Sequence, residues 1–305
     1  MGIARRVVGW LFLEIYDFRR TPSVTVDEKE LLSLLEACRA GVGNVKVDLG
    51  LRSAKVEKVG SLCVISTEVA VVRVESKDLE RVLEESRGRE VFVLEESGTV
   101  SVAEIRGAHY YKLVSLGETA PTLEINGIHM HRVSGTTPWK DAELKARLVG
   151  ARRGTKVLDV CTGLGYTAIH SLLLGSASVT TIEVDENVLS LAEVNPWSEL
   201  LGSENVILIH GDAVEVVKEL EGSYHAIIHD PPRFTSSTSK LYSIEFYKEF
   251  YRLLKREGRL FHYTGEPKRA RGARFPSKVA SRLREAGFKI VRYDPRALGI
   301  IAIKL

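Results

Sequence analysis

Five times between Lys156 and Ala286, a short run rich in Val, Ile and Leu gives way to a stretch with helical character. The strand-type runs are Lys156–Val160, Ser178–Glu183, Val206–His210, His225–His229 and Gly258–Tyr263. The helical stretches are Thr167–Leu174, Glu186–Asn195, Ala213–Leu220, Ile244–Leu254 and Ser277–Ala286. Such alternation specifies an α/β domain with a doubly wound, mostly parallel sheet, because each parallel pair needs a crossover. Phe288–Tyr293 and Gly299–Lys304 then follow with no room for a helix between them, so one of them must run antiparallel. A further helix over Lys140–Val149 leads into the first strand.

The first part of the chain has a different grain. Val7–Tyr16 is apolar, and a helix is expected over Asp27–Ala40, with Asp27 as N-cap and Gly41 as its stop. Short β-type runs follow at Asn44–Leu49, Leu62–Ile65, Val69–Val74, Glu90–Leu94, Thr99–Ile105, Tyr110–Val114 and Leu123–Val133, with one helix over Lys77–Glu85. The segment from Ser134 to Trp139 breaks this pattern. The expected division is therefore an N-terminal, β-rich α+β domain over 1–133 and an α/β domain over 134–305.

With 44% hydrophobic and 27% charged residues the chain reads as an ordinary globular protein, and no apolar run approaches the ~18 residues of a membrane span. Cys38, Cys63 and Cys161 show no metal-ligand spacing, and their odd number argues against a disulfide framework, which points to a reduced, cytoplasmic setting. Gln is absent while Glu, Lys, Arg and Val abound, the composition of a hyperthermophile. The net charge is +3, yet Tyr251–Arg292 holds thirteen Lys plus Arg against three Glu, a local +10 that leaves −7 for the remainder. That asymmetry favours an anionic partner.

The chemistry sits where strands end. The first strand runs into Cys-Thr-Gly-Leu-Gly-Tyr-Thr, residues 161–167, where Gly163 and Gly165 permit a tight turn and close backbone approach to a ligand. Asp159 lies four residues before Gly163 and could orient a ligand's ammonium or the loop itself. Glu183, closing the second strand, is placed to accept hydrogen bonds from both hydroxyls of a ribose, with Asp185 as the substitute. Asp212 follows the third strand and could hold an adenine amino group, cap the next helix, or do both.

The fourth strand ends in His229-Asp230-Pro231-Pro232-Arg233-Phe234. A carboxylate at a strand's carboxyl edge, stiffened by two prolines, forms a rigid exposed loop. The Asp230 side chain and the Pro231 carbonyl can both accept from an amino group, which turns the nitrogen lone pair toward an electrophile.

This order of Gly-Leu-Gly, acidic strand end, Gly-Asp-Ala and Asp-Pro-Pro resembles that of class I SAM-dependent methyltransferases. The likeness covers about Lys140–Leu305. More narrowly, the chain resembles a predicted archaeal methyltransferase group with a His-Asp-Pro-Pro-Arg-Phe motif and a Thr-Pro-Trp segment before the first strand. The resemblance implies a Rossmann-like, seven-stranded domain with sheet order 3-2-1-4-5-7-6. It implies S-adenosyl-L-methionine as cofactor, with Asp159, Gly163 and Gly165 at its methionine end, Glu183 on ribose and Asp212 on adenine. Thr162, Tyr166, Thr167, Val184 and Ala213 complete that set, together with Thr137 and Trp139 from the segment before the core helix. Asp230, Pro231, Pro232, Arg233 and Phe234 would form the catalytic loop around the target amine. Enzymes of this kind acting on nucleobases usually carry an aromatic ring directly after the prolines. Arg233 stands there, so stacking on a base would fall to its guanidinium or, from a shifted position, to Phe234.

Lys268, Arg269, Arg271 and Arg274, in the loop after the fifth strand, lie on the same sheet edge and suit phosphate contacts. The expected activity is methyl transfer to an exocyclic amino nitrogen, cytidine's first, in ribosomal or transfer RNA, with the N-terminal domain adding RNA contacts. Two other readings stay open: an aminopropyltransferase acting on a polyamine, and a SAM-binding, non-catalytic RNA-binding or assembly factor. His129 and His131 alternate on an expected strand, but no metal site and no membrane contact are expected.

Overall fold

A computed structural model of the chain describes residues 13–265 and 275–305. The chain forms two compact units that do not coincide with a cut at 133/134. One comprises 19–139 and 187–199; the other comprises 13–18, 140–186 and the described part of 200–305.

The first unit is built on three small antiparallel sheets. Strands β1 (Ser23–Asp27), β6 (Val91–Glu95) and β7 (Val100–Val102) form one, in the order β1-β6-β7. A meander of β2 (Val42–Val47), β3 (Arg52–Val59), β4 (Leu62–Ser66) and β5 (Val71–Glu75) forms the second. The third holds β8 (Glu104–Arg106), β9 (Tyr110–Val114), β10 (Thr122–Ile125) and β11 (Ile128–His129), in the order β11-β10-β9-β8. Helices α1 (Glu28–Ala40) and α2 (Ser76–Glu84) complete it. Asp27 and Glu30 make a reciprocal capping box at the start of α1, and Gly41 closes it with φ 92°.

Three sequence expectations change here. β3 was not anticipated; only Ala54 and Val56 of its alternating pattern are buried, and one of them is small. The run Leu123–Val133 is a hairpin broken by Asn126 and Gly127, both at positive φ, as a two-residue turn between twisted strands requires. Cys38 and Cys63 form a disulfide, both side chains being buried where the last turn of α1 meets β4, so an odd cysteine count hid one pair and one free thiol, Cys161.

The second unit carries a seven-stranded sheet. Its strands are β12 (Lys156–Val160), β13 (Ser178–Glu183), β14 (Val206–His210), β15 (Tyr224–His229), β16 (Leu254–Tyr263), β17 (Lys289–Asp294) and β18 (Gly299–Ile303). The spatial order is β14-β13-β12-β15-β16-β18-β17. All neighbours from β14 to β16 pair parallel, and β18 inserts antiparallel between β16 and β17. Helices α3 (Pro138–Val149), α4 (Tyr166–Leu173), α6 (Ala213–Glu219), α7 (Ile244–Leu253) and α8 (Phe275–Glu285) punctuate the strands, whereas α5 (Glu186–Val194), which follows β13, falls almost wholly in the first unit. Leu158, Ile227 and Leu260 of the sheet join Phe246, Tyr247 and Phe250 of α7 in one core.

Backbone bonds explain why the units are discontinuous. Tyr16 donates to the Leu208 carbonyl at 2.9 Å and His210 donates to the Glu14 carbonyl at 2.9 Å, so 13–18 belongs with the β14 edge. Thr21 N–H donates to the Glu193 carbonyl, and the Trp197 indole Nε1–H to that of Leu49, which ties 187–199 to the other unit. Among the described residues no helix is long and apolar enough to cross a membrane.

Candidate active site

In-register parallel pairing brings the ends of four strands to one edge: Val160 pairs with Ile182 and with His229, and Glu183 with His210. Ligands of open α/β sheets bind outside that edge.

The turn after β12 is held in the left-handed region at Cys161, Gly163 and Gly165, with φ of 72°, 55° and 80°. A Cβ on Gly165 would stand 2.5 Å from Leu201 Cδ1, so this glycine is required on steric as well as conformational grounds. Beneath the turn Asp159 is fully buried and accepts from Thr167 Oγ1 at 2.7 Å and Thr181 Oγ1 at 2.9 Å. Burial pushes its carboxyl up to about 7 against those two bonds. Asp159 is thus the brace of the loop in this structure, not a surface group. Thr162 (4% exposed), Tyr166 (2%) and Thr167 (6%) are likewise turned inward, so their side chains build the turn rather than line an open face.

Glu183 gathers three backbone N–H groups. Gly163 donates to its Oε2 at 2.8 Å, and Val184 and Asp185 donate to Oε1 at 3.0 and 3.1 Å. Burial nevertheless raises its pKa. The adjoining Val184 is 61% exposed, an apolar side chain on open display beside a carboxylate. Asp212 caps α6 by accepting from the Val214 N–H at 2.9 Å and remains exposed, with Ala213 buried behind it.

At the end of β15 the Asp230 side chain is 24% exposed. The Pro232 carbonyl accepts from the Tyr242 hydroxyl at 2.7 Å, whereas among the described residues the Pro231 carbonyl accepts no hydrogen bond. Phe234 does not reach outward. Its ring packs edge-on against Tyr242 at 5.3 Å and near Phe275 at 5.7 Å, held there by apolar burial. Arg233, beside it, is exposed.

The sequence reading missed Lys145. It projects from α3 to within 2.7 Å of Asp141 Oδ2 and 2.5 Å of Asp230 Oδ2, and its ammonium lies 4.5 Å from the centre of the Tyr263 ring. Its side chain is 6% exposed. Burial opposes the charge, but the two carboxylates outweigh it and raise the lysine above its ordinary value. The available signal was phase: Asp141 and Lys145 share the helix face of buried Ala142, Ala146 and Val149.

Behind the loop, His229 and His262 are fully buried with ring centres 4.6 Å apart. Burial depresses both, His262 to about 4, so they are neutral core groups bonded to the Leu241 carbonyl and to the Tyr247 hydroxyl. Thr137 and Trp139 fall in the other unit, where Trp139 packs edge-on against Trp197. Also in that unit, His129 lies against Glu124 and His131 against Thr122. Lys268, Arg269, Arg271 and Arg274 lie outside the described residues. Among the described residues no cluster of His, Cys, Asp or Glu is fit to hold a metal ion.

A seven-stranded sheet with a glycine turn, an acidic strand end and Asp-Pro-Pro along one edge defines the class I methyltransferase fold. The chain belongs to the family of the uncharacterized protein MJ1233 of Methanocaldococcus jannaschii, with which it is 45% identical over 231 residues, covering 75% of this chain and 78% of that one. It is also distantly homologous to the ribosomal RNA large subunit methyltransferase K/L of Shewanella baltica, at 28% identity over 127 residues. That match takes in 41% of this chain and 18% of the Shewanella protein's length. Spermidine synthase from Thermotoga maritima shares the fold, with a TM-score of 0.50 at 17% identity over 66% of this chain and 71% of that one. No protein-family model matches the chain.

Proposed function

We propose that this protein is an S-adenosylmethionine-dependent RNA methyltransferase acting on an exocyclic amino nitrogen, with cytidine in ribosomal or transfer RNA as the first candidate. The observation that carries the reading is the placement of Asp230-Pro231-Pro232 one strand away from the Gly163–Glu183 turn, on the same carboxyl edge.

The residues present suit the cofactor. Glu183 offers a carboxylate for a ribose diol, Asp212 an exposed acceptor for an adenine amino group, and Val184 an exposed apolar surface for the ring. The Gly163–Gly165 turn would hold the methionine end. When bound, the cofactor supplies an electrophilic methyl group. Asp230 and the Pro231 carbonyl would accept the two N–H bonds of the target amine and so aim its lone pair. This is catalysis by orientation and by stabilising charge that develops on nitrogen. The rigidity of the aim comes from Pro231, Pro232 and the Tyr242 clamp on the Pro232 carbonyl. Arg233 would stack on the base or hold a phosphate. The homologous ribosomal RNA methyltransferase supports RNA as acceptor, and the first unit would add RNA contacts.

The test is transfer of labelled methyl into total RNA from a strain lacking the gene, comparing the wild type with Asp230→Ala. Label that appears in RNA and falls at least about a hundredfold in the variant supports the reading. Measurable cofactor binding with no label in RNA overturns it.

A further inference from the structure

We propose that Lys145 is a specificity-determining residue of this site, one that makes it accept uncharged amino groups and turn away alkylammonium ions. The proposal deepens the functional reading above and rests on it for the identity of the reaction centre. Its own ground is the geometry of three charges.

Lys145 Nζ bridges Asp141 Oδ2 at 2.7 Å and Asp230 Oδ2 at 2.5 Å. The side chains of Asp141 and Lys145 are 4% and 6% exposed, whereas that of Asp230 is 24% exposed. An incoming ligand therefore meets the Asp230 carboxylate, and meets it already paired with an ammonium. The pair is not a loose surface contact. Lys145 is packed over the Tyr263 ring and also bonded to the buried Asp141 carboxylate, so its ammonium is held in place from two sides besides Asp230.

A polyamine nitrogen is a cation at neutral pH. Seated on Asp230 it would lie about 5 Å from a second fixed positive charge, a repulsion that the Asp141 carboxylate offsets in part and that leaves on the order of a tenfold loss in affinity at the effective dielectric of a protein site. The amino group of a nucleobase carries no charge because its lone pair is delocalised into the ring. It can donate to Asp230 without meeting that repulsion. The same fold can thus hold a carboxylate at this strand end in two electrostatic states, and Lys145 sets which class of nitrogen is bound.

The test is titration calorimetry on the full chain with putrescine as probe, at pH 8 and fixed ionic strength. It compares wild type, Lys145→Met and the double variant Lys145→Met/Asp230→Asn. The expected result is no detectable putrescine binding by the wild type, binding gained at least about tenfold by Lys145→Met, and loss of that gain in the double variant. Wild-type binding as tight as that of Lys145→Met, or a folded Lys145→Met that gains nothing, overturns the proposal. Should Lys145→Met not fold, the wild type alone decides: detectable binding of cytidine but not of spermidine supports the proposal, and spermidine binding overturns it. Absence of methyl transfer to RNA would remove the functional reading while leaving these titrations to judge Lys145.

Discussion

The Lys145 ammonium lies 2.5 Å from the Asp230 carboxylate although 85 residues separate the two in the chain. With Asp141 at 2.7 Å it forms a chain of three charges, two of them buried, whose energetics are open to measurement. Removing one carboxylate, in Asp141→Asn or Asp230→Asn, costs a charged hydrogen bond, about 1.5–3 kcal/mol, and relieves the repulsion between the two acids. Removing both relieves that repulsion only once and strands the ammonium. The double variant is therefore expected to lose more stability than the two single variants together, with a coupling of about 1 kcal/mol or more in urea unfolding. A strictly additive result would mean that the three groups do not act as one network.

Asp159 gives the site a pH signature. Burial raises its folded-state carboxyl from 3.8 to about 7. Below about pH 4 the group is protonated in both states and its contribution is fully present. As pH rises toward about 7 the unfolded chain ionises first, so stability is lost across that window. In Asp159→Asn this loss disappears while the contacts with Thr167 and Thr181 can be kept. The melting temperature of the variant, taken relative to wild type, is expected to rise between pH 5 and pH 8. A difference that stays constant over that range would show that Asp159 does not titrate there.

Gly165 supports a two-part prediction. Gly165→Ala sets a methyl 2.5 Å from Leu201 and also imposes a positive φ on alanine. The steric part should yield to Leu201→Ala; the conformational part, about 1–2 kcal/mol, should not. The double variant is thus expected to recover only part of the Gly165→Ala loss beyond the cost of Leu201→Ala itself. Denaturant titrations of the three variants read this directly, and complete recovery would place the whole demand on space rather than on backbone.

Much of the second unit was legible because its signals are local. Strand ends followed by Gly163 and Gly165, by Glu183 and by Asp230 carry their meaning within a few residues, and parallel pairing then brings them to one edge. What escaped depends on distant partners. The phase of α3 puts Lys145 on the buried face in an i,i+4 pair with Asp141, but only Asp230 and Tyr263, distant in the chain, make it a site residue. Phe234 reads as an outward ring until Tyr242 and Phe275 claim it. Thr162, Tyr166 and Thr167 sit in the right loop, but which way each side chain turns is decided by the packing beneath. The Cys38–Cys63 bond could not be told from three scattered cysteines, since only the meeting of α1 with β4 brings two of them together.

Residues 13–18 cover the β14 edge, through bonds between Tyr16 and Leu208 and between His210 and Glu14. The strip is synthesised long before the strand it guards, with almost the whole of the other unit made in between. Its docking must therefore wait for a contact of very high sequence separation, the kind that folds late. Until then the rim strand of the seven-stranded sheet offers bare peptide groups to any neighbour. A fragment begun at residue 134 would carry every motif along the carboxyl edge and keep that rim open for good.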